Sequence, residues 1–298
     1  MRQCRTGTSQ WQYGRECLTA DVNAVVAGAF GGGAAKVTVK DTHDTGFNCL
    51  PGRLDHRAGY VGGHFTRPTF YGDLSDYDLV LYTAIHAASG TPDAFFPHTH
   101  YGIFAEVLIN GRRVCEMDVY GAYLGEFGVP VGFVSGEDVA VRQAMECLPW
   151  AKLVEVDKRK ETYTSGAASI DYLKQGRARL REQAASAVRC LDEMKPLVLP
   201  GPLHFEAVFR TEELAVKYNT WDFPRTGTRV EWDAADMIEG FDLLNKLTFY
   251  PKRIYPFRGL FTAAMRTSCR IKANWLAPRP DREDAAVIEL EQIDERGC

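Results

Sequence analysis

Apolar runs that stop abruptly at polar clusters, then give way to helical spacing, most limit the folds open to this chain. "KVTVKD", Lys36 to Asp41, is a β-branched run that ends in charge. "DYDLVLYTAIHA" holds an apolar run from Leu79 to Ile85, closed by His86. "VPVGFVSGEDVAVRQAMECL" reads as strand, turn and helix, with Ser135 or Asp138 near the cap. Ahead of the first run, Val22, Val25, Val26 and Ala29 recur with helical spacing. Thr19 or Asp21 can cap that helix, and Gly31 to Gly33 end it. "EVLINGRRVCEMDVYG" reads as a hairpin turning at Asn110-Gly111, with Glu116 in its second strand, and "AYLGEFG" as a short helix. The alternation predicts an α/β domain over residues 1–160. Open α/β sheets bind ligands beyond the C-terminal ends of their strands, where His43 and His86 fall.

Past residue 160 the texture changes. "SIDYLKQGRARLREQAASAVRCLDEM" is a long amphipathic helix, and "LHFEAVFR" alternates as a strand. "RTGTRVEWDAADMIEGFDLLNKL" is a strand and then a helix capped at Asp233. A smaller α+β subdomain over residues 161–275 is expected, followed by a Pro-rich and acidic tail over 276–298.

Charge excludes some partners. A formal net charge of −4 offers no electrostatic reason to bind nucleic acid or an anionic membrane. No apolar run is long enough to span a bilayer, and the first residues are polar. The eight cysteines are scattered without a Cys-x-x-Cys pair. That argues against a thiolate zinc knuckle and a disulfide framework, and fits reduced thiols in a cytoplasm.

Six of the seven histidines precede residue 101. Imidazole with carboxylate suits a hydrolytic zinc site that keeps a position open for water. His43, in "KDTHDTGFN", reads either as a metal ligand beside Asp41 or Asp44, or as part of a polar loop of Asx turns. His86 reads as a site residue at a strand end or as a buried, backbone-satisfied histidine. In "DAFFPHTHYG", His98 and His100 share a side if the segment is extended, and His100 reads as solvated. Glu116 and Asp118 alternate onto one face, so spacing does not separate them. His56 and His64 lie in a Gly-rich loop and read as structural or exposed.

Together, "TADVNAVVAGAFGGGAAKVTVKDTHDTGFN", "IHAASGTPDAFFPHT", "INGRRVCEMDVYGAYLGEFGVPVGFVSGED" and "TGTRVEWDAADMIEGFDLL" resemble the zinc-dependent D-aminopeptidase family. The likeness runs over most of residues 13–250 and rests on the motifs in combination. It implies a Rossmann-like N-terminal domain with a smaller C-terminal α+β subdomain, two zinc ions, and assembly into a homo-oligomeric ring. It implies removal of N-terminal D-amino acids from short peptides by a metal-activated water. His43 matches the histidine ligand of Asp-Ser/Thr-His, His86 that of His-Ala, and Glu116 the glutamate of the Asn-Gly-x-x-Val-x-Glu hairpin. His98 matches the catalytic histidine of His-Thr, and His100 has no counterpart. The resemblance sets His86 and Glu116 on one metal and His43 on the other.

One departure stands out. Family members open with a strand ending Asp-Met-Glu-Gly, which supplies two more carboxylate ligands, yet no Asp-x-Glu occurs in the first 40 residues here. Two outcomes are expected from that: a truncated form, or a pseudoenzyme that binds peptide without cleaving it. Too few donors would remain to complete tetrahedral metal sites.

Overall fold

A computed structural model describes residues 9–64, 70–156 and 170–275. The architecture is α/β, in two compact units. The first falls within Met1–Val26, Lys36–Tyr71 and Gly259–Cys298, and the second within Ala27–Ala35 and Gly72–Arg258. The expected tail lies outside the described residues.

The first unit holds most of helix α1 (Ser9–Gly32) and a parallel pair of short strands, β1 (Thr38–Lys40) and β2 (Gly59–Val61). The helix starts a full ten residues before the expected cap at Thr19. Thr19 is buried inside it and turns its hydroxyl back to the Arg15 carbonyl at 2.7 Å. Hydroxyl back-bonding of this kind lets a cap-type residue sit mid-helix.

The second unit carries two sheets. In one, β3 (Val80–Ile85), β6 (Val131–Gly136) and β7 (Lys152–Glu155) run parallel in that order. Helix α3 (Asp138–Cys147) makes the crossover from β6 to β7. In the other, all neighbours are antiparallel in the order β5-β4-β8-β10-β9. Its strands are β4 (Phe104–Ile109), β5 (Arg112–Arg113), β8 (Leu203–Phe209), β9 (Arg225–Thr226) and β10 (Arg229–Ala234). The β4–β5 hairpin turns at Asn110 and Gly111, with φ of 52° and 73°, the left-handed pair a type I′ turn demands. Phe104, Val107, Phe205, Ala207, Phe209 and Val230 fill the core of this sheet.

Two expectations are corrected here. Glu116 is not in a hairpin strand: β5 ends at Arg113, and Glu116 opens helix α2 (Glu116–Gly125). Asp118 causes the switch, because its carboxylate reaches back to accept the Cys115 amide at 2.9 Å in a capping box. Helix α6 (Met237–Thr248), which follows α4 (Ile170–Arg189) and α5 (Glu212–Tyr218), is capped by Asp236, not Asp233. Asp236 accepts the Glu239 amide at 2.8 Å, while Asp233 belongs to β10.

The end of α1 that belongs to the second unit packs backbone-close against α4. A Cβ at Gly28 would sit 2.2 Å from the Arg181 carbonyl oxygen, and one at Gly32 2.6 Å from that of Ala185. Backbone cannot swing aside as a side chain can. Gly28→Ala is therefore expected to destabilise by about 1–3 kcal/mol, against a helix-propensity gain of at most about 1 kcal/mol. A lowered denaturant midpoint checks this; an unchanged or raised one would show that the helices can separate freely.

Candidate active site

His86 follows β3 directly, and the chain then doubles back on itself. The His98 amide donates to the Ala87 carbonyl at 3.1 Å. Ser89 and Thr99 exchange hydroxyl and amide bonds of 3.1 and 2.8 Å, and the Thr99 hydroxyl donates to the Val114 carbonyl at 2.9 Å. This small ladder brings the imidazoles of His86 and His98 to a centroid separation of 4.7 Å. Phe96 stands edge-on to both rings, at 5.9 and 5.4 Å. Asp93, Phe96 and His100 all adopt left-handed φ, between 56° and 63°. Each such residue costs on the order of 1 kcal/mol, and such strain persists where surrounding bonds hold it.

Glu116 completes the cluster. His98 Nε2 lies 3.7 Å from its Oε1. The Phe96 carbonyl, 3.0 Å from His98 Nδ1, can only accept. That bond requires a proton on Nδ1 and turns Nε2 toward Glu116. The carboxylate is held in place by the His100 amide at 3.1 Å and the Tyr120 hydroxyl at 3.3 Å, both donating to Oε1. Burial pushes the Glu116 carboxyl up, and the neighbouring His98, the His100 amide and Tyr120 only partly offset it.

His100 is not solvated, as its loop position had suggested. It is buried, with ring nitrogens 3.2 Å from the Tyr120 hydroxyl and 3.2 Å from that of Thr248. Phe241 and Phe249 pack edge-on against it. Sequence reasoning missed Tyr120, Thr248 and also Glu137, a buried carboxylate beyond β6 that accepts the Phe95 amide. The spacing of Tyr120 four residues after Glu116 would have signalled contact, had the helix been read there.

His43 lies in the first unit, half-buried in the loop after β1. Asp41, one of its two suggested partners, is committed to the loop itself. One oxygen accepts the Asn48 and Cys49 amides at 2.5 and 2.8 Å, and the other accepts the Asn48 side chain at 3.2 Å. Asn48 in turn donates to the His43 carbonyl at 2.6 Å and accepts from the Trp11 indole at 3.2 Å. Asp44 turns the chain with φ of 44°.

Lys40, beside this loop, donates to the Asp41 and Gly63 carbonyls at 2.7 and 2.8 Å. Burial lowers its pKa from 10.5 to about 8. Between those values the unfolded chain binds more protons than the folded one, so this group makes stability rise with pH through that window. The expected result is that Lys40→Met flattens the rise seen in wild-type unfolding free energy. Parallel pH profiles would refute the assignment.

No described helix is long and apolar enough to cross a membrane.

The sequence family described as D-aminopeptidase matches residues 1–246. A D-aminopeptidase of Bacillus subtilis (strain 168) is 28% identical over 248 residues, which span 82% of this chain and 89% of that protein. Among solved structures, the Zn-dependent D-aminopeptidase DppA from Bacillus subtilis, described as a self-compartmentalizing protease, superposes with a TM-score of 0.72. It is 25% identical, and the match covers 82% of this chain and 89% of that one.

Proposed function

This chain belongs to the D-aminopeptidase family, and on that premise we propose that it is a zinc-dependent aminopeptidase that removes N-terminal D-residues from short peptides. The observation that carries the reading is the contiguity of His86, His98 and Glu116 at the end of a parallel strand. Imidazole and carboxylate are donor types that suit zinc, and His98 stands between the two, 4.7 Å from the His86 ring and 3.7 Å from Glu116. His86 and Glu116 would hold one zinc ion, and His43, in the other unit, would serve a second. Zinc bound there supplies Lewis acidity toward a peptide carbonyl and lowers the pKa of water.

The protein's own groups do the rest. Glu116 keeps one orientation because the His100 amide and Tyr120 hydroxyl grip Oε1. His98, with its Nδ1 proton held on the Phe96 carbonyl, has Nε2 available to take a proton and return it to the leaving amine. Phe96, 42% exposed, forms an apolar wall beside both imidazoles. The ring assembly of the family, a peptide partner, and a cytoplasmic setting that keeps the thiols reduced belong to the same reading.

Zinc analysis of purified protein, with turnover of a D-alanyl peptide before chelation, after it and after zinc is returned, tests the proposal. Activity should vanish and recover with the metal. A zinc-free protein of unchanged activity would sink the mechanism. A zinc-loaded, folded protein that binds peptide without turnover would establish the pseudoenzyme instead.

A further inference from the structure

A second convergence of ligand atoms involves residues on either side of Glu116 in the chain, Cys115 and Asp118. The Sγ atoms of Cys115 and Cys147 and a carboxylate oxygen of Asp118 lie within 4.8 Å of one another, all three buried. Cys115 immediately precedes α2, Asp118 is in its first turn, and Cys147 is the last residue of α3. The Cys115 thiol donates to Asp118 Oδ2 at 3.1 Å. The other oxygen, Oδ1, accepts from Arg112 Nη2 at 2.6 Å. The Tyr82 hydroxyl is buried without a hydrogen-bond partner, in electrostatic range of Glu116 first and then of both thiols.

We infer that Cys115, Asp118 and Cys147 form a binding site for a thiophilic divalent cation of the zinc class, distinct from the histidine–glutamate site. Three donors, from the start of α2 and the end of α3, come within 4.8 Å of one another, close enough for a single ion to reach all three. Thiolate sulfur selects zinc-like ions over magnesium or calcium. Binding releases one proton from each thiol to solvent as the two sulfur–metal bonds form. Two thiolates, one carboxylate and a dication leave one net negative charge, which the Arg112 guanidinium neutralises from its place on Oδ1. A partner that fixes a ligating carboxylate in this way is a regular part of metal sites. As a whole residue Cys147 is half-buried. The missing Cys-x-x-Cys spacing hid the site, because its two thiols are brought together only by folding. A bound ion would tie the start of α2, and so Glu116, to the end of α3.

Cobalt(II) titration of the metal-free full chain tests this. Thiolate ligation gives an intense charge-transfer band in the near ultraviolet, which histidine and glutamate ligands do not. The two sites are therefore read separately, and failure of one says nothing of the other. Wild type should develop the band and reach a plateau at saturating cobalt. Cys147→Ser should abolish it while circular dichroism stays native. Arg112→Gln should weaken the affinity behind it by about 10-fold or more, with both thiols kept. No thiolate band in wild type at saturating cobalt, or an undiminished band in Cys147→Ser, would overturn the inference.

Discussion

Glu116→Gln is expected to lower kcat/KM for a D-alanyl peptide by roughly 10³-fold, a loss of about 4 kcal/mol of transition-state stabilisation. The substitution removes charge and leaves shape. The amide oxygen can still accept from the His100 amide and the Tyr120 hydroxyl, as Oε1 does now. Burial already disfavours the ionised carboxylate, so the metal-free variant should be at least as stable as wild type. Lost zinc and lost turnover with intact stability is the signature of a ligand. A residue that merely capped α2 would give the reverse: a lower melting temperature and retained turnover.

His98→Ala should cost kcat about 10²–10⁴-fold, the range for a positioned acid–base group. Zinc content should stay at the wild-type level, because the reading assigns metal binding to His86, Glu116 and His43. His98 is close enough to Glu116, 3.7 Å from Nε2 to Oε1, that the alternative is concrete. Zinc lost along with turnover in His98→Ala would make His98 a ligand and leave the acid–base role vacant.

The strands that carry the site were legible. The apolar runs ending at Ile85 and Gly136 are the parallel strands β3 and β6, and Asn110-Gly111 turns its hairpin as its composition requires. The helical start at Glu116 was not legible, because α2 is buried on every side and its first residues, "EMDVY", alternate like a strand. Only the reach of Asp118 back to the Cys115 amide decides between the two. The pairing of Phe104–Ile109 with Leu203–Phe209 is equally hidden. It joins segments nearly a hundred residues apart, and no local pattern encodes a partner. Helix α7 (Arg258–Trp275) was also unread, since its large apolar residues Leu260 and Ile271 stay exposed and its buried face is marked by the small Thr262 and Ala273.

The same split runs through the site. Spacing alone left His43, His86 and Glu116 each with an ordinary reading, and the family motifs separated them. Neither route found His100. A loop histidine in the left-handed region looks solvated until Tyr120, Thr248 and Phe241 are folded around it. His100 then matters through its backbone, because its amide is what anchors Glu116.

The most direct measurement is the release of free alanine from D-alanyl and L-alanyl forms of one short peptide by the zinc-reconstituted full chain. Cleavage of the D form is expected at a rate at least tenfold above the L form, abolished by chelation. Zinc-loaded, folded protein that releases alanine from neither form, or from the L form preferentially, would contradict the proposal.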